Sequence, residues 1–349
     1  MCIYYDELFR MHKPWFYHPE TPERLDRIVA GLRESGLWDR ARILGVPSGR
    51  VRRELAERVH SKEYVDEIEA ASRRGRLMLD GDTYVNEHTF AAALGVLASV
   101  EDAVERLLSG ECDLALILGR PPGHHAGRYG AAMGAPTLGF CIFNASALAS
   151  LLLAERLGSL LHIDFDLHHG NGTQDILYRD PRVFHVDLHQ DPATIYPGTG
   201  WPWQVGEGEA EGTKANIVLP PGAGDDIFCE AVSTIPGILE AKGFKPRMMV
   251  FSAGFDAYMN DGLGALRLTE KSFHCLASRM REEYGGRALV VWEGGYSLGL
   301  EKGAPAFVKG LLGEEPGRIR EETSSSRALW DAFSENMHKL YQALGIAKG

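Results

Sequence analysis

The chain has 349 residues, of which 44% are hydrophobic and 24% charged, a composition typical of a globular protein with a full core. Its formal net charge is -11, which excludes the basic surface with which nucleic-acid-binding proteins displace counterions. An acidic surface suits a cationic partner, although solubility alone explains the charge equally well.

Cysteine usage and hydropathy indicate a cytoplasmic protein. The cysteines are widely spaced and include no C-x-x-C pair, so we expect reduced thiols at Cys2, Cys112, Cys141, Cys229 and Cys275. Residues 1–7 lack the basic and apolar segments of a signal peptide. The most hydrophobic stretch, 147–163, contains Glu155 and Arg156, so we do not expect it to span a membrane.

Short apolar segments alternate with helical patterns through the central two-thirds of the chain. Strands buried on both faces are predicted where the residues are aliphatic or β-branched and bounded by Gly, Pro or Asp: 113–118, 160–164, 183–187, 215–219, 248–252 and 288–292. Helices are predicted at 90–108, 144–157, 226–242, 269–284 and 327–344. The alternation predicts an α/β fold with a mostly parallel sheet. Because no linker rich in Pro, Gly or Ser interrupts the chain, we expect one domain over residues 1–349.

Polar residues follow four of these strands, at the edge where open parallel sheets place their sites. They lie at 120–125, 164–168, 253–256 and 293–296. Because each of these strand ends carries acid, imidazole or phenol groups, the sequence predicts a functional site there.

Asp164, Asp166 and His168 are spaced two residues apart, and in extended backbone such residues point to the same side. Two carboxylates and an imidazole at the end of an apolar strand are costly to desolvate unless a cation neutralises them. Their oxygen and nitrogen donors suit zinc, and the absence of paired cysteines argues against a zinc-finger site. The sequence therefore predicts a metal site here.

Two further strand ends complete this site. A catalytic zinc takes three protein ligands and leaves one position for water, which makes Asp256 the natural third ligand. Taken alone, Asp256 is better explained as a turn aspartate after Gly254. Tyr296, which follows two flexible glycines, would place a phenol donor over the open position.

The tandem His124-His125 follows a rigid Pro-Pro-Gly turn. Adjacent imidazoles are useful when one acts as a base while the other stays charged or orients the substrate. Asp164, if it is not a ligand, and Asn171 are candidate partners that would set the pKa values of the two imidazoles.

Together these segments resemble the signature of histone deacetylases and acetylpolyamine amidohydrolases. The resemblance runs in order from about residue 4 to beyond Leu268 and rests on HPETPER (18–24), VHSKEYV (59–65), DTYV (82–85), RPPGHHA (120–126), LGFCIFN (138–144), DFDLHHGNGT (164–173), SAGFD (252–256) and EGGYS (293–297). It implies the arginase-deacetylase fold, a single mostly parallel sheet with helices on both faces.

The resemblance also implies two metal sites. Zinc would be held by Asp166, His168 and Asp256. Potassium would lie near the zinc strand, bound through side-chain oxygens and backbone carbonyls of Asp164, Asp166, His168, Asp187 and Leu188, with Asp187 where many members have serine.

The catalytic roles follow the same resemblance. His125 would be the general base and then the general acid, with His124 as its electrostatic partner. Asp164 would bond His124, and Asn171 would bond His125. Tyr296 would polarise the acetyl carbonyl, so that hydrolysis gives acetate and a free amine.

Substrate contacts are implied at the mouth of the site. The family's tunnel has two aromatic walls, matched here by Tyr196 and by Phe140 next to Gly139, and Asp82 aligns with a rim residue that grips substrate in some members. Polyamine-specific members can carry a glutamate gatekeeper at the position of Leu263. An apolar gatekeeper favours acetyl-lysine peptides or small acetylated amines over polyamines as partners.

Three alternatives stay open at this point, an acetylpolyamine amidohydrolase foremost. Arginase-like ureohydrolases need extra carboxylates for two manganese ions, whereas Asp256 is followed by Ala257-Tyr258. A non-catalytic acetyl-lysine-binding module would be expected to lack a ligand, the tyrosine or the histidine pair, and this chain has all of them.

The loop 126–138 would reshape the tunnel rim or form a homo-oligomer contact.

Overall fold

A parallel sheet of eight strands forms the centre of the computed structural model, which describes residues 1–317, 319 and 321–347. The strands are β1 (Cys2–Tyr4), β2 (Arg42–Leu44), β3 (Leu77–Met78), β4 (Tyr84–Val85), β5 (Leu114–Ile117), β6 (Ala126–Gly127), β7 (Gly130–Ala131), β8 (Leu160–Asp164), β9 (Val183–Gln190), β10 (Lys214–Leu219), β11 (Met249–Ala253) and β12 (Ala288–Trp292). The sheet order is β10-β9-β8-β11-β12-β5-β1-β2, while β3–β4 and β6–β7 are separate antiparallel hairpins. The predicted α/β fold with a parallel sheet is confirmed.

Helices flank this sheet. They are α1 (Leu8–Met11), α2 (Glu23–Glu34), α3 (Glu54–Glu57), α4 (Lys62–Arg74), α5 (Thr89–Ser109), α6 (Ala145–Leu157), α7 (Asn171–Leu177), α8 (Asp225–Ala241), α9 (Glu270–Tyr284), α10 (Ala304–Leu312) and α11 (Arg327–Leu344). α5 and α6 pack together over the middle of the sheet, α8 and α11 contact β10, and α9 lies between α8 and α10. Within the described part of the chain, none of the helices has the length and apolarity that crossing a bilayer requires.

The structure confirms each predicted strand and helix, with ends that differ by at most three residues. It adds elements that the sequence patterns did not reveal: β1 to β4, β6, β7, α1 to α4, α7 and α10. β1 and β2 have only three residues each, and β2 is largely exposed at the sheet edge. Neither is long enough to show a sustained apolar pattern.

The direction in which strands are added to the sheet changes between β8 and β11. From β8 the chain proceeds outward through β9 to β10, and it then returns to place β11 on the other side of β8. Such a switch point opens a crevice at the carboxyl ends of the two neighbouring strands. The polar segments that follow β8 and β11 therefore meet, although they are far apart in the sequence.

A cluster of phenylalanines fills the core below this crevice. Phe165 lies 4.8 Å from Phe307 between ring centroids, and Phe255 lies 4.9 Å from Phe273. All four side chains are fully buried, and burial of each such side chain is worth roughly 1.5–3 kcal/mol. Because Phe165 and Phe255 stand next to the predicted metal ligands in sequence, their packing fixes the backbone that carries those ligands.

The expectation of reduced thiols is wrong for two of the cysteines. Cys2 in β1 and Cys112, just before β5, form a disulfide with a Cα–Cα distance of 6.1 Å, which is within the usual span of a bridged pair. The parallel pairing of β1 with β5 brings the two residues together, and their spacing in sequence gives no sign of it. Cys141, Cys229 and Cys275 are free thiols, as expected.

Glu20 and Arg120 form a buried ion pair that joins the N-terminal segment to the turn after β5. Arg120 Nε and Nη2 each lie 2.5 Å from a carboxylate oxygen of Glu20, and the two residues are 2% and 0% exposed. Arg120 Nη1 also donates to the carbonyl oxygens of Phe9 and His12 at 3.0 Å and 2.9 Å. Burial alone would raise the pKa of Glu20, but Arg120, His12 and Arg24 together outweigh it and hold that pKa well below its usual range.

We expect Arg120→Ala to lower the free energy of unfolding by about 3–5 kcal/mol, because it leaves the Glu20 carboxylate buried without its main cation. The matched control is Arg10→Ala, which removes a partly exposed pair with Asp26 and should cost at most about 1 kcal/mol. Urea unfolding followed by tryptophan fluorescence measures both changes. Equal losses in the two variants would contradict the importance of the buried pair.

Candidate metal centre and active site

The segment after β8 folds into successive turns that bring Asp164, Asp166 and His168 together. Because β8 ends at Asp164, the predicted alternation of an extended strand does not continue to His168. Instead, Asp164 Oδ1 accepts the Asp166 N–H at 3.1 Å and Asp166 Oδ1 accepts the His168 N–H at 2.9 Å. The convergence was predicted correctly, but the geometric reason given for it was wrong. His169 is directed elsewhere, with Nδ1 2.8 Å from Thr199 Oγ1.

Asp166, His168 and Asp256 each offer a ligand atom, and these atoms all lie within 4.8 Å of one another. His168 Nδ1 is 3.2 Å from Asp166 Oδ1 and 3.1 Å from Asp256 Oδ2. The Asp256 carboxylate comes from the loop after β11, across the switch point from β8. Two carboxylates and one imidazole beside an open cavity are donors that fit a catalytic zinc site.

Glycines allow the chain to pass close to these ligands. A Cβ at Gly254 would collide with Asp166, and a Cβ at Gly294 would collide with both Asp166 and Asp256. Gly294 N–H donates to Asp166 Oδ2 at 2.8 Å. Burial, and then the charge of Asp166, raises the pKa of Asp256. A divalent cation between the two carboxylates would remove this repulsion.

His124 is held by carboxylates on two sides. Its Nδ1 lies 2.9 Å from Asp164 Oδ2, and its Nε2 lies 3.8 Å from Asp166 Oδ1. Burial alone would lower the pKa of His124, but the charges of Asp164 and Asp166 outweigh it and raise that pKa well above its usual value. Burial raises the pKa of Asp164 as well, so the hydrogen bond between His124 and Asp164 is where this part of the site holds a proton.

His125 lies against a neutral partner. Its Nδ1 is 2.7 Å from Asn171 Oδ1, and the Asn171 amide is fixed by a bond from Nδ2 to the carbonyl oxygen of Ala132 at 2.9 Å. Burial, and then the charges of His124 and His168, hold the pKa of His125 well below its usual value. The pKa values of the two imidazoles, whose ring centroids are 4.0 Å apart, are thus shifted in the opposite directions that their predicted roles require.

Tyr296 is fixed through both its ring and its backbone. The ring lies 6.0 Å from the Phe140 ring, and the Arg24 guanidinium lies 4.6 Å from the centroid of the tyrosine. Arg24 Nε donates to the carbonyl oxygen of Gly295 at 2.7 Å. The Tyr296 N–H donates to Asp261 Oδ2 at 3.0 Å. These contacts hold the phenol in the wall of the cavity described next.

A cavity with a volume of about 430 Å³ reaches the metal-ligand group and the histidine pair. Its lining includes all of the residues that the resemblance assigned to substrate binding: Asp82, Gly139, Phe140, Tyr196 and Leu263. The Tyr196 ring packs edge-on against His125 with a centroid distance of 4.9 Å. The Asp82 carboxylate accepts hydrogen bonds from the hydroxyls of Thr83 and Thr137 at 2.9 Å and 2.7 Å, which orient it at the cavity.

Of the candidate potassium ligands, Asp164, Asp187 and Leu188 lie on β8 and β9, and Asp166 and His168 lie just after β8. Asp164 and Asp187 occupy paired positions in these strands, and Leu188 follows in β9. Asp187 Oδ2 accepts the Gly170 N–H at 2.9 Å, and its Oδ1 lies 2.6 Å from His189 Nδ1. These contacts keep the Asp187 carboxylate beside that of Asp164.

Glu293 and Arg24 belong to the site, although the sequence analysis assigned no role to either. Glu293 Oε2 accepts the N–H groups of Gly123 and His124 at 2.8 Å and 3.2 Å, which fixes the turn that carries the histidine pair. Arg24 packs against Tyr296. Glu293 lies in the EGGYS motif and Arg24 in the HPETPER motif. Their presence in these family motifs is the sequence signal that could have identified them.

Comparisons with known proteins agree with this geometry. The family model for the histone deacetylase domain matches residues 18–311. An uncharacterized protein of Methanocaldococcus jannaschii is 41% identical over 301 residues, which are 86% of this chain and 84% of that protein. A probable deacetylase of Archaeoglobus fulgidus is 35% identical over 350 residues, covering 97% of this chain and 94% of that protein. The crystal structure of the HDA15 HD domain has a TM-score of 0.86 at 30% identity and covers 99% and 98% of the two chains.

The chain therefore belongs to the histone deacetylase family, and it has the arginase-deacetylase fold that its motifs implied. Membership of this family makes it a deacetylase, a hydrolase that acts on acetylated substrates.

We expect Asp256→Ala to weaken Zn²⁺ binding by more than about 100-fold, because losing a direct ligand should exceed the roughly 10- to 100-fold cost of losing an outer partner. Isothermal titration of metal-stripped protein measures the affinity. The control is Cys141→Ser, because Cys141 belongs to a different buried group with His124 and Glu293. If only Cys141→Ser lost affinity for Zn²⁺, the metal would have to be assigned to the group that contains Cys141.

Proposed function

We propose that the protein is a zinc-dependent deacetylase that removes acetyl groups from lysine side chains or related amines, giving acetate and a free amine. The observation that carries the proposal is a cavity that reaches a three-ligand group and two adjacent imidazoles, one hydrogen-bonded to a carboxylate and the other to an amide. Family membership supports the same chemistry.

The ligand group fits zinc through its donor types and its spacing. Zinc held by Asp166, His168 and Asp256 would act as a Lewis acid toward the acetyl carbonyl and lower the pKa of a water molecule. His125, whose pKa is low, takes the proton of the attacking water and later returns it to the leaving amine. Tyr296 donates a hydrogen bond to the carbonyl oxygen as negative charge develops there.

The hydrogen-bond partners of the two histidines divide their roles. Asn171 accepts from Nδ1 of His125 and so leaves the other ring nitrogen free to act as the base. The Asp164 carboxylate keeps a proton on His124, so that this residue supplies positive charge and does not compete for the proton of the water.

The cavity lining favours an acyl-lysine side chain as the substrate. Phe140 and Tyr196 supply aromatic walls for an aliphatic chain, and Leu263 adds an apolar contact. The net charge of -11 would attract a lysine-rich peptide. The second candidate is an acetylated polyamine, because Asp82 places a carboxylate in the cavity lining that would bind a second ammonium group.

A potassium site beside the zinc is also part of the proposal. The carboxylates of Asp164 and Asp187 face each other across β8 and β9, and a monovalent cation would neutralise part of their charge. Side-chain or backbone oxygens of Asp166, His168 and Leu188 would complete the site.

We expect His125→Ala to lower kcat on a fluorogenic acetyl-lysine substrate by roughly 100- to 10,000-fold, through loss of the base. Tyr296→Phe should lower kcat by roughly 100- to 1,000-fold, through loss of one oxyanion donor. The controls His338→Ala and Tyr129→Phe alter exposed residues and should keep full activity. An unchanged rate in either site variant would remove that residue from the mechanism.

We expect Leu263→Glu to shift kcat/KM toward N-acetylspermidine and away from an acetyl-lysine peptide by at least about tenfold in their ratio, about 1.4 kcal/mol. The added carboxylate would pair with a second ammonium group of the polyamine inside a poorly solvated cavity. Leu263→Gln, which has a similar size and no charge, is the control. A native enzyme that already prefers the polyamine would overturn the ranking of substrates.

A further inference from the structure

Two free thiols meet at the contact between α8 and α9, away from the active site. Cys229 lies on α8 and Cys275 lies on α9, and their thiols interact directly through a hydrogen bond. Both residues are partly exposed, so small molecules in solvent reach them. The third free thiol, Cys141, is buried beside the histidine pair and accepts the His125 N–H at 3.4 Å.

Cations line the same face of α9. Lys271 and Arg279 stand one turn before and one turn after Cys275, at the i−4 and i+4 positions that share a helix face. Each cation also has a carboxylate partner, because Lys271 Nζ lies 2.6 Å from Glu322 and Arg279 Nη2 lies 2.9 Å from Glu283. Arg279 Nε is buried and has no hydrogen-bond partner among the described residues. The hydrogen bond from Cys229 lowers the pKa of Cys275 against the effect of burial, and Lys271 and Arg279 add to the lowering. A partly exposed thiol beside cations and a second thiol is the setting of a reactive cysteine.

We propose that Cys229 and Cys275 are an oxidation site, at which a peroxide converts the two thiols into a reversible disulfide between α8 and α9. The Cys275 thiolate attacks one peroxide oxygen, which breaks the O–O bond and leaves a sulfenic acid and one water after protonation. The Cys229 sulfur then attacks the Cys275 sulfur and releases the sulfenic oxygen as a second water. Two thiols and one hydrogen peroxide thus give one disulfide and two waters.

The new bond would reinforce a contact that is already built around a buried carboxylate. Asp225, at the start of α8, accepts the Thr269 N–H at 2.8 Å and the Ser272 hydroxyl at 2.6 Å, both near the start of α9. Cys229 lies one turn further along α8. A disulfide here would constrain the unfolded chain between the two helices, so the oxidised protein should melt several degrees higher than the reduced protein.

Peptide mapping of the native protein under non-reducing conditions tests the proposal. After treatment with a small excess of hydrogen peroxide, we expect a linked peptide pair that contains Cys229 and Cys275 and that dithiothreitol separates. In Cys229→Ser, which lacks the second sulfur, Cys275 should proceed to a sulfinic acid. In Cys275→Ser, Cys229 should stay reduced, as Cys141 does in all of these proteins.

Two results would overturn the proposal. The first is the absence of the linked pair while Cys275 of the Cys229→Ser variant is oxidised, which would mean that the two sulfurs do not reach bonding distance. The second is a rate of alkylation by iodoacetamide at neutral pH that is no faster for Cys275 than for Cys141 in the untreated protein. The existing link between Cys2 and Cys112 gives a different peptide pair and serves as the internal reference.

Discussion

The crowding of Asp166, His168 and Asp256 at one point is the constraint on which the rest of the structure depends. Two carboxylates in a dry site repel each other, so the fold must hold them together against their own charge. The neighbouring placement of β8 and β11 brings the two segments together, and the buried rings of Phe165 and Phe255 anchor them from below. The free energy released by burying the apolar core thus offsets the repulsion between the two carboxylates. A divalent cation bound between them would reduce that repulsion.

The same crowding decides how the histidine pair behaves. His124 lies near both Asp164 and Asp166, whereas His125 has an amide as its direct partner. One residue of difference in sequence therefore separates an imidazole whose pKa is raised from one whose pKa is lowered. Positive charge on His124 further disfavours a proton on His125, so the two residues act as a coupled pair whose division of roles comes from their partners.

The sequence predicted the parts of this site that follow periodic strands, and it missed those that depend on long-range packing. Asp166 was found because it follows an aliphatic strand in a pattern of spaced donors, and Asp256 because a zinc site needs a third ligand from another strand end. Arg24 acts through a tyrosine far along the chain, and the link between Cys2 and Cys112 exists only because β1 pairs with β5. No local pattern encodes such contacts. The turn after Asp164 was misread as extended backbone because side chains, and not the strand period, determine its path.

Glu20 shows how far the active site extends beyond the residues that face the cavity. Its carboxylate binds Arg120, which begins the turn that carries the histidine pair, and also Arg24, which packs against the Tyr296 ring. One buried anion therefore ties the turn that carries His125 to the ring of Tyr296, the proposed base and oxyanion donor. Both arginines are themselves buried, so neither can turn to solvent if this anion is lost. Stability and the geometry of the proposed active site are consequently coupled here, because the charge pairing that holds the N-terminal segment also contacts the supports of His125 and Tyr296.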